Sequence, residues 1–119
     1  MFCKRPKETI FSIMKWHEET FPDCTLDGQL EKYQEEQREW VESGNNDISE
    51  LADMFIVACG IARFDLWEGL VALSDVYDWY EETVDLDFKD LMKAVNKKMA
   101  INRKRKWGKQ GGLYKHIEK

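Results

Sequence analysis

Residues 31–53 read EKYQEEQREWVESGNNDISELAD, two helix-forming runs joined by the polar turn Ser43-Gly44-Asn45-Asn46. Glu36 and Glu39 lie three apart on the first run, and Glu50 and Asp53 lie three apart on the second. Residues three apart share a helical face, so each pair presents two carboxylates in one direction. If the runs fold back as an antiparallel hairpin about Gly44, Glu39 and Glu50 sit at similar heights, roughly one to two turns (about 5 to 8 Å) from the bend. Such a hairpin gathers four carboxylates in one place.

Outward from that stretch, the chain has 119 residues, of which 43% are hydrophobic, enough for one domain with a modest core. Two prolines, seven glycines and abundant Glu, Lys, Leu and Ala predict an all-α fold, whose modest core dimerisation would help to stabilise. The net charge of −5 argues against a generic polyanion binder, although the charges are unevenly placed. Cys3, Cys24 and Cys59 have no C-x-x-C spacing, and their odd number without a signal peptide points to reduced thiols in a cytosol. The longest apolar stretch, Met54 to Ala62, is far shorter than the roughly 20 residues of a membrane span.

Along the chain, Met1 to Lys7 is a short basic extension, and Glu8 to Glu19 carries Ile10, Phe11, Ile13, Met14 and Trp16 at helical spacing. Pro22 breaks that helix. Thr25 or Asp27 caps a second, from about Leu26 to Ser43, offering Leu30, Tyr33, Trp40 and Val41 to a core. Asn46 or Asp47 caps a third, to about Phe64, whose wide apolar face makes it the central element. Trp67, Leu70, Leu73, Val76 and Trp79 recur every three residues and predict one or two short helices over 65–80. Beyond Asp85 and Asp87, a last helix runs from Phe88 to about Lys106 with Leu91, Val95, Met99 and Asn102 on one face, and residues 108–119 form a glycine-punctuated tail.

Three constellations bear on chemistry. Hard oxygen ligands from two helices suit Mg²⁺, with phosphates and waters completing its shell. A solvated acidic face is the plain alternative, thickened by Glu31, Glu35 and Glu42, and Glu50 has a second use in closing a capping box on Asp47. Glu50 and Asp53, however, interrupt an otherwise apolar helix, where uncompensated carboxylates are costly. On the last helix, Lys98, Asn102 and Arg105 line one face, suited to clamping phosphates, although basic residues there also complement the helix dipole. Trp16 and Phe21 offer faces for stacking on a nucleobase, or serve the core. There is no G-x-x-x-x-G-K-[ST] loop, and Met14 and Leu113 stand three before the two histidines, which removes the Glu-x-x-His pattern of a di-iron bundle.

Glu35-Glu36-Gln37-Arg38-Glu39, Glu50-Leu51-Ala52-Asp53 and Lys98-Met99-Ala100-Ile101-Asn102-Arg103-Lys104-Arg105, in that order, resemble the MazG-type all-α nucleoside triphosphate pyrophosphohydrolases. Trp16-His17-Glu18-Glu19-Thr20-Phe21-Pro22 and Thr25-Leu26-Asp27-Gly28-Gln29-Leu30 resemble the dATP/dGTP diphosphohydrolase branch of bacteria and their phages. The gap from Glu39 to Glu50 is slightly shorter than that family's, and 65–85 is longer and more aromatic. The resemblance implies Mg²⁺-dependent hydrolysis of a nucleoside triphosphate to monophosphate and pyrophosphate, with Mn²⁺ as a substitute ion. It implies a four-helix-bundle-like fold assembled as a cytoplasmic homodimer or dimer of dimers. Metal would then be held by Glu36, Glu39, Glu50 and Asp53, with Glu35 or Glu36 as general base. Lys98 and Arg105 would stabilise phosphate charge, Asn102 would bind sugar or phosphate, and Trp16 and Phe21 would pack the base. The rival expectation is a non-catalytic helical interaction module, with a nucleic-acid-binding protein third.

Overall fold

A computed structural model describes residues 7–44, 47–83, 88–105, 107–110 and 113–116. Five helices, α1 (Ile10–Thr20), α2 (Leu26–Glu42), α3 (Ile48–Phe64), α4 (Leu66–Thr83) and α5 (Phe88–Asn102), are followed by strands β1 (Trp107–Gln110) and β2 (Leu113–His116). The expected all-α class and helical bundle are therefore present. The 108–119 tail departs from expectation: β1 and β2 pair antiparallel, with Trp107 opposite His116 and Gln110 opposite Leu113. Most of the basic N-terminal extension, Asn45 and Asn46, Asp85 and Asp87, and Lys106 lie outside the described residues.

Side-chain oxygens set the helix starts. Thr9 and Ser12 form a reciprocal capping box at α1. Thr25, rather than Asp27, accepts the Gly28 N–H at 3.0 Å to start α2. Asp47 caps α3 by accepting the Ser49 N–H at 3.0 Å. Between α2 and α3, Gly44 adopts φ 86°, a left-handed conformation open to glycine at little cost. Asp65 does double service. Its N–H bonds Ile61 O at the end of α3, and its carboxylate accepts the Glu68 N–H at the start of α4.

Helix α3 is the core. Each of α1, α2, α4 and α5 packs against it, and from Leu51 to Ala62 every residue except Asp53 is buried. A helix apolar on all sides gains by being surrounded, with each fully buried Leu, Ile or Met worth about 1.5–3 kcal/mol. Around it stand Ile13 and Trp16 of α1, Tyr33 and Trp40 of α2, Ala72, Val76 and Tyr80 of α4, and Leu91, Val95 and Met99 of α5. Val41, which the spacing offers to the core, is exposed instead, and so is Phe11.

Two helix contacts are very close. A Cβ built on Gly69 of α4 would fall onto the backbone of Ala62 in α3, so only glycine permits this approach. A Cβ on Gly60 would strike Gln29 and come within 2.8 Å of the His17 ring. That ring belongs to a buried polar chain. The Arg63 guanidinium can only donate, so His17 Nδ1 accepts from Arg63 Nη1 at 2.9 Å and the ring proton sits on Nε2, facing Gln29 Oε1 at 3.1 Å. Gln29 then donates to Val57 O at 3.1 Å, and Arg63 also donates to Phe21 O at 2.9 Å. The chain joins α1, α2 and α3 with its buried polar groups satisfied in sequence.

The one or two short helices that the three-residue recurrence predicts over 65–80 form one continuous element, and the recurring residues do not all share its buried face: Val76 is buried and Leu73 and Trp79 pack against the core. Gly69, Ala72, Val76 and Tyr80 face α3, whereas Trp67 and Leu70 point outward, Trp67 being 73% exposed. A strict three-residue step drifts around a 3.6-residue helix and so crosses from one face to the other.

Replacing Gly69 by Ala is expected to lower stability by about 2 kcal/mol, because overpacking against backbone outweighs the gain in helix propensity. Thermal denaturation should show the midpoint falling by roughly 5–10 °C. For His17, burial first, and the Arg63 charge as well, push the ring pKa down to about 4 against the opposing Gln29 hydrogen bond. Between pH 6.5 and 4 the unfolded chain holds a proton there that the folded chain does not. Stability from this group is complete above about pH 6.5 and is lost toward pH 4, by about 3 kcal/mol. In urea titrations, the advantage of wild type over His17→Gln should shrink by that amount from pH 7 to pH 4.

Candidate metal centre

The α2–α3 hairpin aligns the carboxylates as its sequence predicts, with one distinction. Glu36, Glu39 and Glu50 each present an oxygen within 4.8 Å of the other two. Asp53 lies one turn along α3 from Glu50 and is held by Lys98 Nζ of α5 at 3.2 Å. The cluster is graded from interior to solvent: Glu36 is 6% exposed, Glu50 is intermediate and Glu39 is exposed. Asp47 spends its carboxylate on Ser49, and Glu50 turns into the cluster.

Glu35 and Glu36, indistinguishable by spacing, separate here. Glu36 faces the cluster, whereas Glu35 pairs with Lys32 Nζ at 3.1 Å and is half-exposed. Lys32 also reaches Glu36 at 3.8 Å. This lysine was not among the predicted site residues, although its position three and four before the two glutamates is the spacing of a helical ion pair.

The electrostatics are those of too much negative charge in too little water. Burial, then repulsion by Asp53 and Glu39, pushes the Glu36 carboxyl up to about 8 despite Lys32. Burial and the Asp53 and Glu39 charges raise Glu50 as well. Asp53 is raised chiefly by burial, with Lys98 opposing. On Lys32, burial pulls the ammonium down but Glu36, Glu35 and Glu39 outweigh it, and the net shift is upward. Glu36 Oε1 and Glu50 Oε2 are buried without a hydrogen-bond partner. A buried carboxylate oxygen in that state is costly unless a proton or a cation satisfies it.

These oxygens fit a hard divalent cation. Opposite ligands on Mg²⁺ stand about 4.2 Å apart, twice its bond length, so a 4.8 Å group closes onto an ion by small side-chain adjustments. An all-oxygen donor set suits hard ions such as Mg²⁺, Ca²⁺ and Mn²⁺ better than softer ones.

The other predicted residues are distributed differently. Helix α5 ends at Asn102, a turn before the expected Lys106, and the chain continues through tighter bonds, Lys104 N–H to Ile101 O and Arg105 N–H to Asn102 O. Arg105 is thus half-buried beyond the helix instead of on its last turn. Asn102 is buried beside Met99. Arg103 turns away, making a two-pronged ion pair with Glu8 at 2.9 Å and 2.9 Å that ties the start of α1 to the end of α5. Trp16 and Phe21 meet edge to face, 5.3 Å between centroids, and are 7% and 6% exposed. They are core aromatics, with no open face for a nucleobase. Cys24 and Cys59 are free, buried thiols, and among the described residues no helix is long and apolar enough to cross a membrane.

No protein-family model, curated protein or solved structure matches this chain.

The isosteric change Glu36→Gln should stabilise the metal-free protein at pH 8 and above, by on the order of 2–4 kcal/mol. Folded Glu36 retains its proton above the usual carboxylate range, so its ionisation costs stability increasingly from about pH 4.5 to about pH 8. The advantage of the variant should therefore fade to nothing near pH 4.5. Denaturation in chelator-treated buffer across that range checks both the sign and the window.

Proposed function

We propose that this protein is a metal-dependent hydrolase that converts nucleoside triphosphates, deoxynucleotides above all, to the monophosphate and pyrophosphate. The observation that carries the reading is the pair of buried, unpartnered oxygens on Glu36 and Glu50 inside a three-carboxylate cluster. Glu36, Glu39 and Glu50 would hold Mg²⁺ or Mn²⁺, with Asp53 next to them. When bound, the ion neutralises triphosphate charge, polarises phosphorus and lowers the pKa of a water.

The chain's own groups supply the rest. Glu36, at the closed end of the cluster, is suited to a ligand's role. Glu35, outside the cluster and on the same turn of α2, is suited to take the proton from an attacking water, with Lys32 orienting it. Lys98 lies beside Asp53 on a separate helix, so its ammonium can turn toward a phosphate while remaining at the site. Arg105, about two turns beyond Lys98, would add a second cation. Trp16 and Phe21 have no part in base binding on this reading. The MazG-type resemblance supplies the reaction class, the cytoplasmic setting in a bacterium or phage-infected cell, and self-association. It acts in concert with the cluster and does not replace it.

Incubation of the purified protein with each dNTP and NTP, with Mg²⁺ and then Mn²⁺, should release pyrophosphate and monophosphate, not orthophosphate. Asp53→Asn should reduce turnover by at least ~100-fold while leaving the circular dichroism spectrum unchanged. Absence of turnover with both ions would overturn the enzyme reading. If Mg²⁺ also failed to raise the melting temperature, a non-catalytic interaction module would stand in its place.

A further inference from the structure

Lys32 touches two carboxylates at once. Its Nζ lies 3.1 Å from Glu35 Oε1 and 3.8 Å from Glu36 Oε2. Both partners stand on its own helix, three and four residues ahead, a spacing that keeps the ammonium beside them. The two oxygens of Glu36 are therefore in different surroundings. Oε2 faces this ammonium, whereas Oε1 is buried with no hydrogen-bond partner, on a residue that is 6% exposed. Glu39 and Glu50 each bring an oxygen within 4.8 Å of Glu36, and Glu35 stands outside that group.

A second ion could join the cluster on the Glu35 side only by sharing Glu36 with the first. In two-metal sites the ions stand about 3.5–4 Å apart, close enough for one carboxylate to span both. Glu36, through Oε2, and Glu35 would be the ligands of that second ion, with bonds of about 2.0–2.1 Å for Mg²⁺. The Lys32 ammonium, already within hydrogen-bond reach of Glu35 and near Glu36 Oε2, occupies the space between them, and its charge repels a dication at such short range. We propose that Lys32 limits the cluster to one divalent ion, held through Glu36 Oε1, Glu39 and Glu50, and keeps Glu35 outside the metal's shell.

Resting on the metal-dependent reading above, this role makes Lys32 a positioning residue. A carboxylate oxygen bound to a metal has committed a lone pair to the ion and is a poorer proton acceptor, whereas a carboxylate held by an ammonium still has lone pairs with which to take a proton. Excluding Glu35 from the shell thus preserves it as a base. Lys98 differs from Lys32. It belongs to α5 and pairs with Asp53, outside the three-oxygen group, at 3.2 Å. Because Asp53 lies one turn from Glu50 on α3, its release would offer one more ligand to the same ion.

Titration of the metal-free full chain with Mn²⁺, without nucleotide, followed by loss of the free ion's electron paramagnetic resonance signal, should give one bound ion per chain. Lys32→Met, which keeps an unbranched stem and removes the charge, should give two, with the broadened spectrum of ions a few ångströms apart. Lys32→Arg, and Lys32→Met combined with Glu35→Gln, should both give one. Glu35→Gln alone alters a half-exposed residue outside the core and should weaken Mn²⁺ binding by no more than about fivefold, the most that a partly exposed charge nearby contributes. Two ions on the wild type, one on a folded Lys32→Met, or a greater loss with Glu35→Gln overturns the role given to Lys32. No Mn²⁺ bound at millimolar concentration overturns the metal centre itself. One ion on the wild type and two on Lys32→Met, without pyrophosphate release from either, would uphold the role of Lys32 and overturn only the hydrolase reading.

Discussion

Helix α3 has to be buried on every side, and the other four helices take their places from that requirement. A 17-residue helix whose middle is Met-Phe-Ile-Val-Ala-Cys-Gly-Ile-Ala has no polar face to turn to water. Four amphipathic helices each contribute one apolar stripe to cover it. The small residues set how closely they come: Gly60 lets the His17 and Gln29 side chains lie against α3, and Gly69 lets α4 rest on the Ala62 backbone. Large side chains at either place would push a neighbouring helix outward and open the core.

The polar end of α3 acquires its chemistry from the same arrangement. Glu50 and Asp53 occupy the first two turns, where α2 and α5 flank the helix, so their carboxylates are partly withdrawn from water. Glu36 and Glu39 approach across the hairpin, and Lys32 and Lys98 supply compensating charge from two different helices. The imbalance that remains is visible as carboxyl groups displaced upward from their ordinary pKa range. Perturbed carboxyls gathered in this way are a recurring mark of functional sites, and here the physical cause of each is explicit.

Much of this was legible in the amino-acid order, because it depends on local periodicity. The stripe Leu91, Val95, Met99 and Asn102, the capping oxygens of Thr25 and Asp47, and the convergence of Glu36, Glu39 and Glu50 about Gly44 all follow from spacing along single helices or one short hairpin. What escaped depends on distant partners. Arg63, His17 and Gln29 are far apart in the chain, and nothing local marks them as one hydrogen-bonded unit. Trp16 and Phe21 look equally suited to a ligand or to a core until Arg63 and His17 are seen closing around them. Which face of α4 meets α3 is likewise not set by spacing, because apolar residues lie on both sides of that helix.

The ion pair between Lys98 and Asp53 has a further meaning. On the metal-centre reading, Lys98 is a tethered counter-ion, covalently bound to the scaffold, that holds the place of a mobile one. An ion exchanger of this kind gives up its fixed cation when a more highly charged one arrives. The ammonium would then be free when a polyphosphate accompanying the metal needs a positive partner. Cation uptake and anion affinity would rise together, with no movement of the backbone, through the swing of one flexible side chain.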